Sequence, residues 1–168
     1  MKFLDKVDTF LRNLSTFKFI VTITLSMFLC SYILDLLINI FNIKIAETNL
    51  SISQAPLIIE FLAVSIIAPL LETFLFQYGA IKILRKINIL KNNNLIIILI
   101  SALIFGLQHC YSLSYIIHTT ILGIFLSYAF VVYETKKVSP FWVVCIIHSL
   151  RNFISFSIIN ILKIYNLC

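Results

Sequence analysis

The chain has 168 residues, of which 61% are hydrophobic and 12% charged, and its formal net charge at pH 7 is +6. A soluble domain carries about twice this share of charged residues, and a single core of this size could not bury so many apolar side chains. The composition therefore excludes a water-soluble globular domain and indicates an integral membrane protein.

Five apolar runs have about the length that a helix needs to cross a bilayer, which is about 20 residues. In chain order they are residues 19–41, 55–84, 95–110, 113–133 and 140–162. Pro69 lies inside the second run, so we expect this span to be tilted or broken there. The third run is short and has almost no loop before the fourth, which predicts a tight hairpin. The predicted fold class is all-α, a polytopic membrane helix bundle of about five transmembrane helices.

The basic residues follow the positive-inside pattern of membrane proteins. Two lie on one side of the predicted topology, Lys44 and Lys163, and ten lie on the other: Lys2, Lys6, Arg12, Lys18, Lys82, Arg85, Lys86, Lys91, Lys136 and Lys137. This bias predicts a cytoplasmic N-terminus and a C-terminus outside, in a bacterial plasma membrane. The positive charge is explained by topology, so the expected partner is the lipid bilayer and no nucleic-acid partner is predicted.

Glu72 lies in the middle of an otherwise almost wholly apolar stretch, and His109 and His148 lie in two later apolar runs. Each such group costs about 2.5–3.5 kcal/mol on insertion scales, so a functional site is the default explanation. At about 1.5 Å of rise per residue, each lies about 16–22 Å from the cytoplasmic end of its span, and so does Asn152. The sequence therefore predicts that separate helices bring these side chains to one depth.

Three pairs of residues in these runs are spaced four apart, which places the two members of a pair on the same face of a helix. The pairs are Thr73 with Gln77, Phe105 with His109, and His148 with Asn152. Because polar side chains in a membrane face the bundle interior or a wet cavity, the pairs also predict which helix faces point inward.

These residues resemble the three motifs of the CPBP family, the intramembrane endopeptidases of the CAAX-processing type and their bacterial relatives. The family pattern is Glu-Glu-x-x-x-Arg, Phe-x-x-x-His and His-x-x-x-Asn, and its counterparts here begin at Glu72, Phe105 and His148. The resemblance covers about residues 55–162. It divides the chain into 1–54, an N-terminal cytoplasmic segment with the first transmembrane helix and an outer loop, and 55–168, a CPBP-like catalytic core of four helices.

The first motif departs from the family pattern at two positions. Thr73 stands where the family has its second Glu, and Gln77 stands where it has Arg. Because both charges are absent together, no single ion is left in a low-dielectric interior. We expect a neutral hydrogen-bonding pair in a supporting role, although reduced or lost activity stays open.

The resemblance implies hydrolysis of a peptide bond inside the membrane, without a cofactor. Glu72 would be the general base that activates a water, and His109 would help to hold that water. His148 and Asn152 would stabilise the oxyanion. The implied substrate is a peptide or a membrane-associated protein, and bacterial relatives suggest bacteriocin processing or immunity.

Two alternatives to this function stay open. Glu72, His109 and His148 could instead bind Zn²⁺ with a water in the fourth position, although the absence of a His-Glu-x-x-His motif and the presence of Asn152 favour the metal-free reading. The chain could also be a non-catalytic membrane immunity or partner-binding protein with a degenerate site.

Other polar and aromatic residues have less specific readings. Arg151 is a cation inside the last run, and it could pair with Glu60 or reach a lipid head group. The aromatic residues are interpreted as lipid-facing packing and interfacial belts; among them are Tyr111, Tyr115, Tyr128, Tyr133 and Trp142.

Overall fold

The computed structural model describes residues 3–40 and 56–165, and the regular elements in these ranges are all helical. Phe41 and Ala55, the predicted limits of two spans, lie outside the described residues, as does the predicted outer loop between them. The helices are α1 Phe3–Asn13, α2 Thr16–Ile40, α3 Leu57–Leu84, α4 Asn94–Gln108, α5 Leu113–Tyr133 and α6 Pro140–Ile164.

Four of these helices, α2, α3, α5 and α6, are long and apolar enough to cross a membrane, and α4 is a shorter apolar helix. With 15 residues, α4 is about 22 Å long, less than the hydrocarbon thickness of about 30 Å. The predicted all-α, polytopic membrane bundle is confirmed.

The amphipathic helix α1 was not predicted. Its apolar side chains Phe3, Leu4 and Phe10 are exposed. Only two residues separate it from α2. The Tyr128 hydroxyl on α5 donates a hydrogen bond of 2.8 Å to the Asp8 carboxylate. This contact attaches α1 to the bundle, and the assignment of Tyr128 to an interfacial belt stays a prediction.

Helix α3 continues through Pro69 because the preceding segment, Ala63–Ile67, is a π-helical turn. Proline has no backbone N–H, and its ring crowds the carbonyl four residues earlier. In the wider turn the N–H of Ala68 bonds to the carbonyl of Ala63, which accommodates the proline without a break. The sequence predicted that this span is tilted or broken at Pro69, and the predicted break is therefore wrong.

A second π-helical segment, Thr73–Gly79, follows Glu72 directly. Inside it the carbonyl of Phe76 accepts a hydrogen bond of 2.6 Å from the hydroxyl of Ser101 on α4. The hydroxyl of Ser127 on α5 donates in turn to Ser101 at 2.9 Å. A side-chain donor inserted at a helix carbonyl is a known cause of local helix distortion, and this chain of bonds joins α3, α4 and α5.

Helices α4 and α5 form the predicted tight hairpin. Asn93 and Ser112 cap the two helices by accepting backbone N–H bonds of 3.1 Å each. A Cβ atom on Gly106 would lie 2.9 Å from the Cα of Thr120, and one on Gly123 would lie 3.0 Å from the Cα of Ala102. Small residues at these contacts let the two backbones approach closely.

Helix α2 packs into the same hydrophobic core as the later helices. Its side chains Phe19, Ile23 and Met27 are buried there, and the Phe19 ring lies 5.0 Å from the ring of Tyr133. Tyr133 is fully buried, so its assignment to an interfacial belt was wrong. The division of the chain at residue 54 stays a prediction.

An ionic cluster joins the loop after α3 to the end of α5. Arg85 donates to the Glu134 carboxylate through Nε at 3.2 Å and through Nη2 at 2.6 Å. It also donates to the carbonyl of Lys91 at 2.7 Å and to the side chain of Asn94 at 2.8 Å. Lys82 approaches Glu134 at 3.6 Å. Arg85 is thus the centre of the contacts at this end of the bundle.

We expect Glu134→Gln to lower the free energy of unfolding by about 1–3 kcal/mol, because partly buried Arg85 then loses its charged acceptor. Unfolding in mixed micelles measures this change. The matched control is Lys82→Gln, which removes an exposed partner and should cost less than about 1 kcal/mol. Equal effects of the two variants would contradict a special role for the Arg85–Glu134 pair.

Candidate active site

Glu72 points into the bundle from the inner face of α3. It ends the short α-helical stretch Ala68–Glu72, between the two π-helical segments. Its neighbours Leu71, Phe74 and Leu75 are exposed on the outside of the helix, whereas the Glu72 side chain is only 18% exposed. The carboxylate is therefore turned away from the lipid-facing surface.

Two imidazoles from other helical segments approach this carboxylate. Nε2 of His148 on α6 lies 3.6 Å from Oε2 of Glu72, and Nε2 of His109 at the end of α4 lies 3.9 Å from Oε1. Each carboxylate oxygen thus faces one ring nitrogen. The structure brings together the three ionisable side chains that the sequence predicted to share one depth.

His109 has its ring orientation set by its own helix end. It is the C-terminal cap of α4, and its Nδ1 lies 2.9 Å from the carbonyl of Phe105. A carbonyl can only accept, so Nδ1 carries the hydrogen in this contact. In the neutral ring, Nε2 is then a free acceptor that faces Glu72.

Phe105 packs against both imidazoles. Its ring centroid lies 4.8 Å from that of His109 and 5.7 Å from that of His148. The side chain is buried at 3% exposure, so it forms an apolar wall that limits how the two rings can turn. This contact agrees with the supporting role expected for Phe105.

Asn152 lies one helical turn after His148, and its amide contacts the backbone of α3. Its Nδ2 donates a hydrogen bond of 3.0 Å to the carbonyl of Val64, inside the π-helical turn before Pro69. An amide nitrogen carries two hydrogens, so one remains for another acceptor. The contact holds α6 against α3 beside the site, and the oxyanion role of Asn152 stays a prediction.

Thr73 and Gln77 are both fully buried behind Glu72. Within the part of the chain that the structure describes, neither the Thr73 hydroxyl nor the Gln77 amide has a hydrogen-bond partner. The expected bond between them is therefore wrong. The prediction assumed α-helical geometry, whereas both residues lie in the π-helical segment Thr73–Gly79.

Tyr115 is a neighbour of the site that sequence reasoning missed. Its ring centroid lies 6.0 Å from that of His109, because the short turn capped by Ser112 folds α5 back along α4. Its assignment to an interfacial belt stays a prediction. The available signal was its position, six residues after His109 at the start of the next helix.

A metal site requires several ligands that converge on one point. Within residues 3–40 and 56–165, no group of three or more His, Cys, Asp or Glu side chains has that arrangement. The alternative in which Glu72, His109 and His148 bind zinc stays a prediction.

Residues 54–154 match the family model described as type II CAAX prenyl endopeptidase, Rce1-like. The chain belongs to this family. The matched region contains all four predicted site residues of this Rce1-like protein, whereas α1 and α2 precede it and the end of α6 follows it. A search of the curated proteins and a search of the solved structures each found no match.

The family assignment confirms the resemblance inferred from the motifs. Rce1-like endopeptidases are intramembrane proteases, so this chain is an integral membrane protein of a protease family. Proteases of this kind act on peptide or membrane-protein substrates. The Rce1-like family thus accounts for costly polar side chains at the centre of an apolar bundle.

Proposed function

We propose that the chain hydrolyses a peptide bond of a peptide or membrane-associated protein with a water activated by Glu72. One observation carries this proposal: the two oxygens of an inward-facing carboxylate each face an imidazole of another helical segment, at 3.6 and 3.9 Å. Burying an ionisable side chain within a membrane costs free energy, so a function is the default explanation for its presence.

Glu72 and His109 together can orient the attacking water. The Glu72 carboxylate accepts one hydrogen of the water, and Nε2 of His109 accepts the other, because Nδ1 already donates to Phe105. As the water oxygen attacks the scissile carbonyl carbon, Glu72 takes the proton. It then returns this proton to the leaving amine nitrogen as the carbon–nitrogen bond breaks, which leaves Glu72 ionised again.

His148 and Asn152 are the proposed donors to the oxyanion that forms in this step. Asn152 keeps one amide hydrogen after its bond to Val64, and His148 is held by the wall that Phe105 forms. One oxyanion donor is commonly worth about 2.7–4 kcal/mol of transition-state stabilisation. Their placement one turn apart on α6 lets both approach the same oxygen.

We further propose a bacterial plasma membrane as the setting, with the N-terminus in the cytoplasm and bacteriocin processing or immunity as the biological role. The excess of basic residues on one side supports this orientation. Lys136, three residues after the end of α5, lies over the ring of Phe19 near the start of α2, 5.6 Å from the centroid, so these two helix ends lie at the same end of the bundle.

We expect cleavage of a peptide library by the purified protein in liposomes to continue in the presence of phenanthroline. The reason is that the proposed base is a carboxylate and no step uses a metal. Mass spectrometry of the products measures the cleavage. Complete inhibition by the chelator, reversed by added zinc, would overturn this mechanism in favour of the zinc-dependent alternative.

A second candidate is a non-catalytic membrane immunity or partner-binding protein. It is favoured by Thr73 and Gln77, which replace two charged family residues and have no hydrogen-bond partner in the described ranges. An equal biological effect of the wild type, Glu72→Ala and His148→Ala would indicate binding without catalysis.

A further inference from the structure

Arg151 is a cation inside the bundle that the proposed mechanism does not use. It is mostly buried in α6, and its Nε is fully buried without a hydrogen-bond partner among residues 3–40 and 56–165. None of the ion pairs formed within these ranges includes it. Glu60, one of its expected partners, is therefore not paired with it.

The depth of Arg151 argues against its other expected partner, a lipid head group. Arg151 lies near the middle of Pro140–Ile164, about 17 Å along the helix from its start and about 20 Å from its end. An arginine can extend its charge toward the interface only from near a helix end. The partner of this cation is therefore expected inside the bundle.

The surroundings of Arg151 connect it to the active site. It lies one helical turn after His148, and it acts electrostatically on His148, Tyr115 and His118. Tyr115 in turn contacts His109. On the other side, His118 is held by Ser31 of α2 through a contact of 3.2 Å. Arg151 is therefore within electrostatic range of residues at the Glu72 site and at the Ser31–His118 contact.

We propose that Arg151 anchors a carboxylate of the substrate beside the scissile bond. This inference rests on the proposed peptidase function. An unpaired cation in a low-dielectric interior is costly, and a carboxylate compensates that cost. The guanidinium offers planar, paired N–H donors that match the two oxygens of a carboxylate. Tyr115, whose ring centroid lies 6.0 Å from that of His109, brings a further hydroxyl donor to this region. The carboxylate is either the C-terminus of the substrate or an Asp or Glu side chain.

Three forms of one acetylated apolar octapeptide test the proposal: the free acid, the C-terminal amide, and the amide with glutamate as its last residue. The measured quantity is the ratio of kcat/KM for each carboxylate form to kcat/KM for the plain amide, in liposomes. We expect a ratio of about tenfold or more for the wild type, from one charged hydrogen-bonded contact. The carboxylate form with the higher kcat/KM shows whether the anchored group is the C-terminus or a side chain of the substrate.

Arg151→Gln should reduce this ratio to near one, whatever its absolute rate, and Arg151→Lys should retain part of it. The matched control is Lys163→Gln, which removes an exposed charge from the same helix and should keep the wild-type ratio. An unchanged ratio in Arg151→Gln would overturn the proposal and assign Arg151 a structural role.

The outcome is separable from that of the proposed function. If the wild type cleaves none of the peptides, the ratio of Kd values is measured for the same forms. A carboxylate preference in Kd that Arg151→Gln removes would support the anchor while the peptidase proposal fails. Cleavage without any carboxylate preference would leave the peptidase proposal in place and overturn the anchor.

Discussion

Glu72→Gln is expected to reduce peptide-bond cleavage by about 10²- to 10⁴-fold, the usual contribution of a general base. Glutamine has nearly the same shape, so it should keep the packing around His109 and His148, but it cannot take a proton from the water. The measurement is the initial rate of peptide cleavage in liposomes, together with thermal unfolding of the same preparation.

The matched control for this variant is Glu60→Gln, which makes the same chemical change on the same helix, outside the site. It should cleave at close to the wild-type rate. Cleavage by Glu72→Gln at the wild-type rate would exclude Glu72 as the base, although the protein would still be a peptidase. An equal loss in both variants would instead point to an effect of charge on α3 as a whole.

Gly106→Val should lower both the stability and the activity of the protein. A Cβ atom at this position would lie 2.9 Å from both the Cα and the Cβ of Thr120, so α4 and α5 must separate. Overpacking of this kind typically costs about 1–3 kcal/mol. His109 is also affected, because its N–H donates to the Gly106 carbonyl at 3.0 Å. We therefore expect lower stability and reduced cleavage together.

The free energy of unfolding in mixed micelles and the cleavage rate should be measured on the same samples. The control is Leu107→Val, at the next position on α4, where the side chain is exposed and a smaller residue meets no backbone. A stable Gly106→Val protein with full activity would show that the close approach of the two helices is not required.

Several parts of the fold could be predicted because they depend on local composition. The long apolar spans follow from the cost of exposing polar backbone to lipid, and the hairpin of α4 and α5 follows from the very short segment between two apolar runs. Helix α1 was not predicted, because an amphipathic helix of 11 residues falls below the length at which a span is recognised.

The candidate site could be predicted in part for a similar reason. Glu72, His109 and His148 stand out because ionisable side chains are rare in apolar segments. The Val64 carbonyl could not be recognised as the partner of Asn152, since every residue carries a carbonyl and only the helix packing selects one. Tyr115 looked like any other aromatic residue near a span end.

The sequence by itself determined that this is a membrane-embedded helical protein and which ionisable side chains share one depth, because both follow from residue type and from rise along a helix. Only the tertiary structure decided what those side chains contact. The π-helical segments around Glu72, the burial of Thr73 and Gln77, and the position of Arg151 depend on how backbones from different helices pack. That packing depends on contacts between residues far apart in the chain, so it cannot be predicted from the spacing of residues within one segment.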